Sequence, residues 1–345
     1  MPDQSQSPAA ALSRRNLLAS AGVAFGGAMI GVPRSAGAAT TISMQIGWLA
    51  GGNQLGDIVA KQLGYFSDEG LTLEIMPGGP NNDGVAIVAS GRAAVGQLSS
   101  SPSLMLAASQ DIPITCFAVG AQQHPYAFFS LAKNPVHQPA DFRSKKVGIQ
   151  ATGVILLRAL LAKNNIDPKD VEIVTVGSEM TPLMTGQVDV VTGWVTNTTA
   201  MRVLGPDHVT LKLWDAGVRL YALPYYATTD TLRTNRDALE RFLKASGRGW
   251  EYAYNNRDKA IELLVKELPN LVAKDEREAA DVMLGAEFNQ TTRANGWGAM
   301  DPAVWQEQID LYAKLGQFSK RTPALAEVMT MDVLQATHDS RPRIG

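Results

Sequence analysis

In the first part of the chain, the spacing of apolar residues switches back and forth between that of β-strands and that of α-helices. The predicted elements are a strand at 42–48, a helix at 55–63, a strand at 71–75, a helix at 81–90 and a short strand at 94–96. Gly64 and Gly91 follow the two helices, where a C-cap glycine is expected. Strands and helices in this alternation predict βαβ units and a mainly parallel sheet.

A second set of the same kind follows. Its predicted elements are a strand at 146–149, a helix at 154–164, a strand at 171–176, a short helix ending near Gly186 and a strand at 188–191. The segment 90–95 (SGRAAV) aligns with 185–190 (TGQVDV), and both have Gly in second place and Val in the last. We interpret the two sets as one architectural unit used twice, although six residues leave coincidence open.

The last third of the chain has a helical pattern. Apolar residues recur at helical spacing over 236–254, 257–268, 275–284 and 302–315. Asp301 precedes the last of these segments and is a candidate N-cap residue. The chain is therefore predicted to be an α/β protein with a helical C-terminal extension.

The N-terminus has the features of an export signal. Arg14 and Arg15 directly precede a short, mildly apolar stretch, and Ala36-Gly37-Ala38 provides a small-residue cleavage site. We therefore predict that residues 1–38 are a twin-arginine signal peptide and that the mature protein is soluble in the periplasm. A retained anchor helix is the alternative, which the glycines in the apolar stretch disfavour.

Charge and cysteine content narrow the possible function classes. The whole chain has a formal net charge of -2, and loss of residues 1–38 leaves 28 basic and 32 acidic residues, a net charge of -4. A weakly acidic chain without a basic tract argues against nucleic acid and anionic membranes as partners. The single cysteine, Cys116, lies in an apolar run and predicts a buried thiol, so the fold must be stable without an internal disulfide.

Two short motifs resemble a known family. Gly64-Tyr65-Phe66 followed by Glu69-Gly70-Leu71, and the later segment 183–189 (LMTGQVD), resemble signatures of periplasmic solute-binding proteins of the sulfonate, nitrate and thiamine-pyrimidine type. By order of elements the resemblance covers roughly residues 42–270.

The resemblance implies a two-lobed type II periplasmic-binding-protein fold that closes around one small molecule. Lobe 1 would comprise 39–128 and 225–345 and lobe 2 would comprise 129–224, with crossovers near 128–131 and 223–227. It also implies delivery of the ligand to the inner-membrane permease of an ABC importer, and we expect the protein to be a monomer. A sensor kinase or a tripartite carrier is the alternative membrane partner.

Most candidate ligand-binding residues lie where strands lead into helices, because ligands of open α/β sheets bind outside the carboxyl ends of the strands. Tyr126 and Tyr225 are candidates because they lie at or near the expected crossovers, where a side chain lines the cleft or packs against the hinge. The candidates are Trp48, Asn53, Ser99, Ser100, Tyr126, Gln150, Thr152, Trp194, Asn197 and Tyr225. Trp48 and Trp194 could face each other across the cleft as an aromatic sandwich, although both could also serve in packing. His124 is expected to be a solvated loop residue.

The sequence favours binding over catalysis. Its four histidines are scattered without metal-ligand spacing, and nucleophile-elbow, Walker and dinucleotide motifs are absent, so we predict no metal, no cofactor and no enzymatic activity. A pyrimidine-synthase-like enzyme is the disfavoured alternative. Aromatic candidates without an arginine at a strand end favour a flat heterocyclic or pyrimidine-like ligand, and a sulfonate- or nitrate-type anion is the other ligand class.

Overall fold

A computed structural model describes residues 39–79 and 82–344. The predicted twin-arginine signal, at 1–38, lies outside the described residues, as does Asn81, the predicted start of the second helix. Within the described ranges, no helix combines the length and the apolar character needed to cross a bilayer.

Ten strands in the described residues form two sheets of five. They are β1 (Thr40–Ile46), β2 (Leu71–Met76), β3 (Val95–Gln97), β4 (Ile114–Ala121), β5 (Tyr126–Leu131), β6 (Lys146–Ile149), β7 (Glu172–Thr175), β8 (Val190–Trp194), β9 (His208–Lys212) and β10 (Ala222–Thr228). The first sheet has the order β2-β1-β3-β10-β4 and the second the order β7-β6-β8-β5-β9. We call each sheet with its covering helices a lobe.

The two sheets have the same construction, which supports the interpretation of a repeated unit. In each sheet the first three strands pair in parallel, and the next two pairings are antiparallel. The matched glycines have matching backbones, with φ of 75° at Gly91 and 76° at Gly186. Only glycine enters this left-handed region at little cost, so the same turn leads into β3 and into β8.

The chain passes between the lobes twice. The first crossover, 122–125, joins β4 to β5, and the second, 213–221, joins β9 to β10. Both lie a few residues before the positions expected from the sequence, since 128–131 belongs wholly to the second sheet and 223–227 to the first. The sheets therefore divide the chain into lobe 1 at 39–121 and 222–344 and lobe 2 at 126–212. Apolar patterning could not locate these points because β4, β5 and β10, which border them, are almost wholly buried and show no alternation that would mark a boundary.

Fifteen helices are present in the described ranges, and most of them cover the first sheet. They are α1 (Leu55–Gln62), α2 (Tyr65–Asp68), α3 (Gly84–Ala89), α4 (Pro102–Ser109), α5 (Val154–Lys163), α6 (Thr181–Met184), α7 (Thr198–Met201), α8 (Thr229–Thr234), α9 (Arg236–Asn255), α10 (Arg257–Glu267), α11 (Ala273–Glu287), α12 (Gln290–Asn295), α13 (Pro302–Lys314), α14 (Leu325–Val328) and α15 (Asp332–Ala336). Helices α8–α15 are the predicted C-terminal extension, and Asp301 caps α13 by accepting a hydrogen bond from the Ala303 N–H.

The core of lobe 1 is rich in large aromatic side chains. Phe117 on β4, Phe242 and Trp250 on α9, and Trp297 are fully buried around Tyr225. Aromatic side chains bury large apolar areas, so this cluster supplies much of the stability of a lobe without disulfides. Cys116 is buried here as predicted, and burial raises the pKa of its thiol well above the usual range.

Candidate functional site

The lobe 1 side of the site is formed by the loops that follow β1 and β3. Trp48 lies after β1 with half of its surface exposed, and Asn53 lies half-buried in a 3₁₀ turn, Gly52–Gln54. Ser99 and Ser100 follow β3 and run beside the end of the second crossover, where Ser100 bridges Ala222. The Ser100 hydroxyl is buried without a hydrogen-bond partner among the described residues.

The lobe 2 side is formed by the ends of β6 and β8. Gln150 and Thr152 lie at the start of α5, in and before the 3₁₀ turn Ala151–Gly153. Trp194 ends β8 and is half-buried, directly opposite Tyr126 in the sheet register. Asn197 is exposed just before α7. The facing arrangement of Trp194 and Trp48 stays a prediction.

Tyr126 ties β5 to the α5 turn. A Cβ on Gly153 would lie 2.3 Å from the Tyr126 hydroxyl, so the turn can approach the ring this closely only because residue 153 is glycine. Among the described residues, this hydroxyl has no hydrogen-bond partner in regular geometry. Burial raises the pKa of Tyr126 to about 12, against a smaller opposing effect of the Thr192 hydroxyl. Tyr126 is therefore neutral at physiological pH and can offer a proton to a bound group.

Tyr225 is placed in the core of lobe 1 instead of on the cleft. Its side chain is fully buried, and its hydroxyl donates a 2.7 Å hydrogen bond to Asp57 Oδ2 on α1. This hydroxyl is already engaged by Asp57 among the aromatic side chains of lobe 1, so Tyr225 has no free hydrogen-bonding group to offer a ligand. The sequence could not reveal this, because β10 is buried on both faces and the alternation that separates core from surface is absent.

A buried polar network connects Tyr225 to the 3₁₀ turn of lobe 1. Gln97 donates to Asp57 Oδ2 over 3.5 Å and accepts from Gln54 over 2.6 Å, and Gln54 in turn accepts from the Gly51 N–H over 3.1 Å. Burial raises the pKa of Asp57 to about 6, with the hydroxyls of Tyr225 and Ser246 opposing that rise. The network holds the Gly51–Gln54 turn against the end of β3.

Helix α11 borders both lobes and brings charge to the site. A Cβ on Gly52 would lie 3.2 Å from the Glu276 carboxylate, and burial raises the pKa of that carboxyl. Arg202 of lobe 2 forms ion pairs of 2.6 Å and 2.8 Å with Asp275 and Glu278 of the same helix. These pairs hold lobe 2 against α11. Glu276 gave no local sequence signal, because only tertiary packing brings it to residue 52.

The sequence prediction for His124 is wrong. It was expected to be solvated, but its side chain is 2% exposed, and the first crossover carries it into the junction of the lobes. Its ring packs edge-on against Trp194 at 5.2 Å between ring centroids and against Tyr126 at 6.2 Å. The available signal was its position in a four-residue connection between two mostly apolar strands, which leaves little room to reach solvent.

A solvent-open groove of about 510 Å³ lies elsewhere, between α5 and α13. It is lined by charged and apolar side chains that include Lys163 and Glu307, which form an ion pair of 2.5 Å between the lobes. None of the ten candidate ligand-binding residues lines this groove, so it does not coincide with the predicted site.

Comparison with known proteins gives consistent matches. The model of the family described as "NMT1/THI5 like" matches residues 52–260. The formylaminopyrimidine-binding protein of Halalkalibacterium halodurans is 26% identical over 78% of this chain and 83% of its own. The 4-amino-5-hydroxymethyl-2-methylpyrimidine phosphate synthase of Legionella pneumophila is 22% identical over 67% of this chain and 74% of its own. The chain is thus similar both to a binding protein and to an enzyme.

Among solved structures, the periplasmic aliphatic sulphonate binding protein SsuA of Escherichia coli superposes with a TM-score of 0.63 at 14% identity. The match covers 86% of this chain and 99% of that one. At this identity the match establishes the fold, so the two-lobed α/β architecture of periplasmic binding proteins expected from the sequence is confirmed.

Proposed function

The chain belongs to the NMT1/THI5-like family, and from that premise we propose that it is an extracytoplasmic solute-binding receptor. It captures one small flat heterocycle between its lobes and delivers it to the permease of an ABC importer. The observation that carries the proposal is the grouping of His124, Trp194 and Tyr126 at the junction of the lobes, where aromatic faces lie beside buried polar atoms. Ligand sites combine apolar and aromatic walls with a few polar groups in this way.

The charge at the site favours a heterocycle over a sulfonate or nitrate ion. Glu276 carries its carboxylate to Gly52, and the Arg202 guanidinium is already engaged by Asp275 and Glu278. An anion at this place would meet an unfavourable charge without a free guanidinium to pair with. The similarity to a formylaminopyrimidine-binding protein supports the same class.

Binding without catalysis is the second part of the proposal. Cys116 is enclosed in the lobe 1 core, and its raised thiol pKa removes it as a nucleophile. Among the described residues, no group of three or more His, Cys, Asp or Glu side chains is arranged to hold a metal ion. The similarity to a pyrimidine phosphate synthase keeps an enzyme as the second candidate. Conversion of a bound pyrimidine by the purified protein would favour it.

The cellular setting follows from the N-terminal sequence. We propose export by the twin-arginine route, cleavage before Ala39 and action as a monomer in the periplasm. Arg14 and Arg15 before a mildly apolar stretch support this route. Retention of the chain in the cytoplasm after Arg14→Lys and Arg15→Lys, with normal export of the unchanged protein, is the result that tests it.

A thermal-shift screen of the protein starting at Ala39 tests the ligand class. Aminopyrimidines, flavins, alkanesulfonates and nitrate are compared, because a ligand that binds only the native state raises the melting temperature. We expect at least one heterocycle to raise the melting temperature and the anions to leave it unchanged. A higher melting temperature with sulfonates alone would support the anion alternative. An unchanged melting temperature with every class would contradict the receptor proposal.

Trp48→Ala tests whether the exposed indole contacts the ligand. We expect the dissociation constant of the heterocycle found in the screen to rise about 3- to 10-fold, as loss of one aromatic contact would cause. The melting temperature without ligand should change by less than about 2 °C, since surface substitutions cost little. Leu63→Ala, which shortens another exposed apolar side chain at the far end of α1, is the control. Unchanged affinity with a large loss of stability would assign Trp48 to packing.

A further inference from the structure

The first crossover holds the His124 ring in one position. The His124 N–H donates to the Leu220 carbonyl of the second crossover over 3.0 Å, and the preceding Gln122 N–H donates to the Ala286 carbonyl of α11 over 2.9 Å. His124 Nδ1 accepts a hydrogen bond of 3.2 Å from the Tyr126 N–H. A ring nitrogen that accepts cannot carry a proton, so the proton of the neutral imidazole lies on Nε2.

The Nε2 donor has no hydrogen-bond partner in the part of the chain that the structure describes. It is buried and makes no hydrogen bond within the described residues. Burial lowers the pKa of His124 to about 3, so the ring is neutral over the physiological range. A buried polar group without a partner lowers stability, and native structures retain such groups mainly where they serve a purpose.

Two further buried polar atoms, which also lack regular partners within residues 39–79 and 82–344, lie on neighbouring elements. Ser100 bridges Ala222, two residues after the Leu220 carbonyl that binds the His124 N–H. Tyr126 lies two residues after His124, with its ring 6.2 Å away. One of these atoms belongs to each lobe, and the third belongs to the crossover between them.

We propose that His124 determines specificity by donating its Nε2–H to an acceptor atom, a ring nitrogen or a carbonyl, of a flat ligand that lies against Trp194. This inference rests on the proposed function and adds to it the protein atom that recognises the ligand. Because the imidazole is held as a neutral donor, it selects a neutral heteroaromatic acceptor and gives no charge attraction to an anion. Trp194 supplies the aromatic surface, with its ring centroid 5.2 Å from that of His124.

Two replacements of His124 distinguish loss of the Nε2–H donor from the structural effect of replacing the imidazole. His124→Phe keeps a flat ring and removes the donor, whereas His124→Gln can place an amide N–H near the position of Nε2. Both remove Nδ1, the acceptor of the Tyr126 N–H, so they share any structural cost of that loss. His137→Gln, at an exposed position in lobe 2, is the control for loss of an imidazole.

The probes are 4-amino-2-methylpyrimidine and 3-methylaniline, the same shape with both ring nitrogens replaced by CH. Calorimetry at pH 8 on the protein starting at Ala39 gives both dissociation constants. We expect the wild-type protein to prefer the pyrimidine by about 10-fold or more, since a site built to donate rejects an analogue without the acceptor. His124→Phe should abolish that preference, and His124→Gln should restore part of it.

Each outcome has a distinct meaning. A preference for the pyrimidine that survives His124→Phe would overturn the role of His124 and leave the receptor function intact. Equal affinity of the wild-type protein for the two probes would also overturn the role of His124 and leave the receptor function intact. Failure of the wild-type protein to bind either probe, together with a flat thermal-shift screen, would instead remove the proposed function, and this inference with it.

Discussion

Replacement of Gly249 by alanine should lower the free energy of unfolding by about 3 kcal/mol. Gly249 lies on α9 where that helix crosses α1, and a Cβ there would stand 2.0 Å from the Gly56 carbonyl oxygen and 2.9 Å from the Ala60 nitrogen. These are backbone atoms, so no side-chain rotation can relieve the contact, and the two helices must separate. Urea unfolding followed by circular dichroism measures the change.

Gly285→Ala is the matched control for this helix contact. Gly285 lies inside α11, and a Cβ there would meet nothing within 4 Å. Alanine should stabilise the helix at this position by about 0.5–1 kcal/mol, because glycine loses more backbone freedom on folding. Equal effects at the two positions would show that helix propensity, and not the close approach of α9 and α1, governs Gly249.

Asp57→Asn should change how stability depends on pH. The folded protein holds the pKa of Asp57 at about 6, against 3.8 for an unperturbed carboxyl, because burial disfavours the charge. As the pH rises, Asp57 therefore loses its proton at a lower pH in the unfolded chain than in the folded protein. Its contribution to the free energy of unfolding is fully present below pH 4 and is lost as the pH rises to 6. At about 1.4 kcal/mol per pH unit, the loss amounts to about 3 kcal/mol.

The Asn variant lacks this loss because its side chain does not ionise. Its stability relative to wild type should therefore rise by about 3 kcal/mol between pH 4 and pH 7. Denaturant melts at each pH measure the difference. Glu287 is a second buried carboxyl, whose pKa is raised by burial and further by the Asp57 charge. Asp57→Asn removes that charge and so lowers the pKa of Glu287, which adds to the relative gain of the Asn variant as the pH rises.

His124→Phe provides a contrast of opposite sign. The folded pKa of His124, about 3, lies below the ordinary value of 6.5, so its contribution is present above pH 6.5 and is lost as the pH falls. Relative to wild type, the Phe variant should gain stability on acidification, whereas the Asn variant of Asp57 should lose it. Parallel pH curves for wild type and Asp57→Asn would contradict the assignment of a shifted Asp57.

Several elements were predictable because their signals are local. The helix at 55–63 ends at Gly64, where φ is 80°, and the strand at 146–149 has the predicted bounds. The paired turns at Gly91 and Gly186 were visible as a weak sequence match, because a left-handed residue after a helix favours glycine wherever it occurs.

The candidate site was predictable in outline and not in detail. Trp194 and Tyr126 meet at the junction of the lobes because β5 pairs antiparallel with β8, which sets the start of β5 beside the end of β8. Tyr225 was assigned to the cleft because it lies close to a crossover, yet it contacts Asp57, which is 168 residues away in the chain. His124 was assigned to solvent because it lies in a short polar connection.

The sequence by itself determined the fold class, the repeated unit and the helical extension, since periodicity, capping and turn residues act over a few positions. Tertiary structure alone decided where the chain crosses between lobes, which aromatic side chains enter the core, and that His124 and Glu276 reach the site. These outcomes depend on burial and on pairing between distant segments. A side chain's surroundings, and with them its pKa and its free hydrogen-bonding atoms, exist only once those segments have packed together.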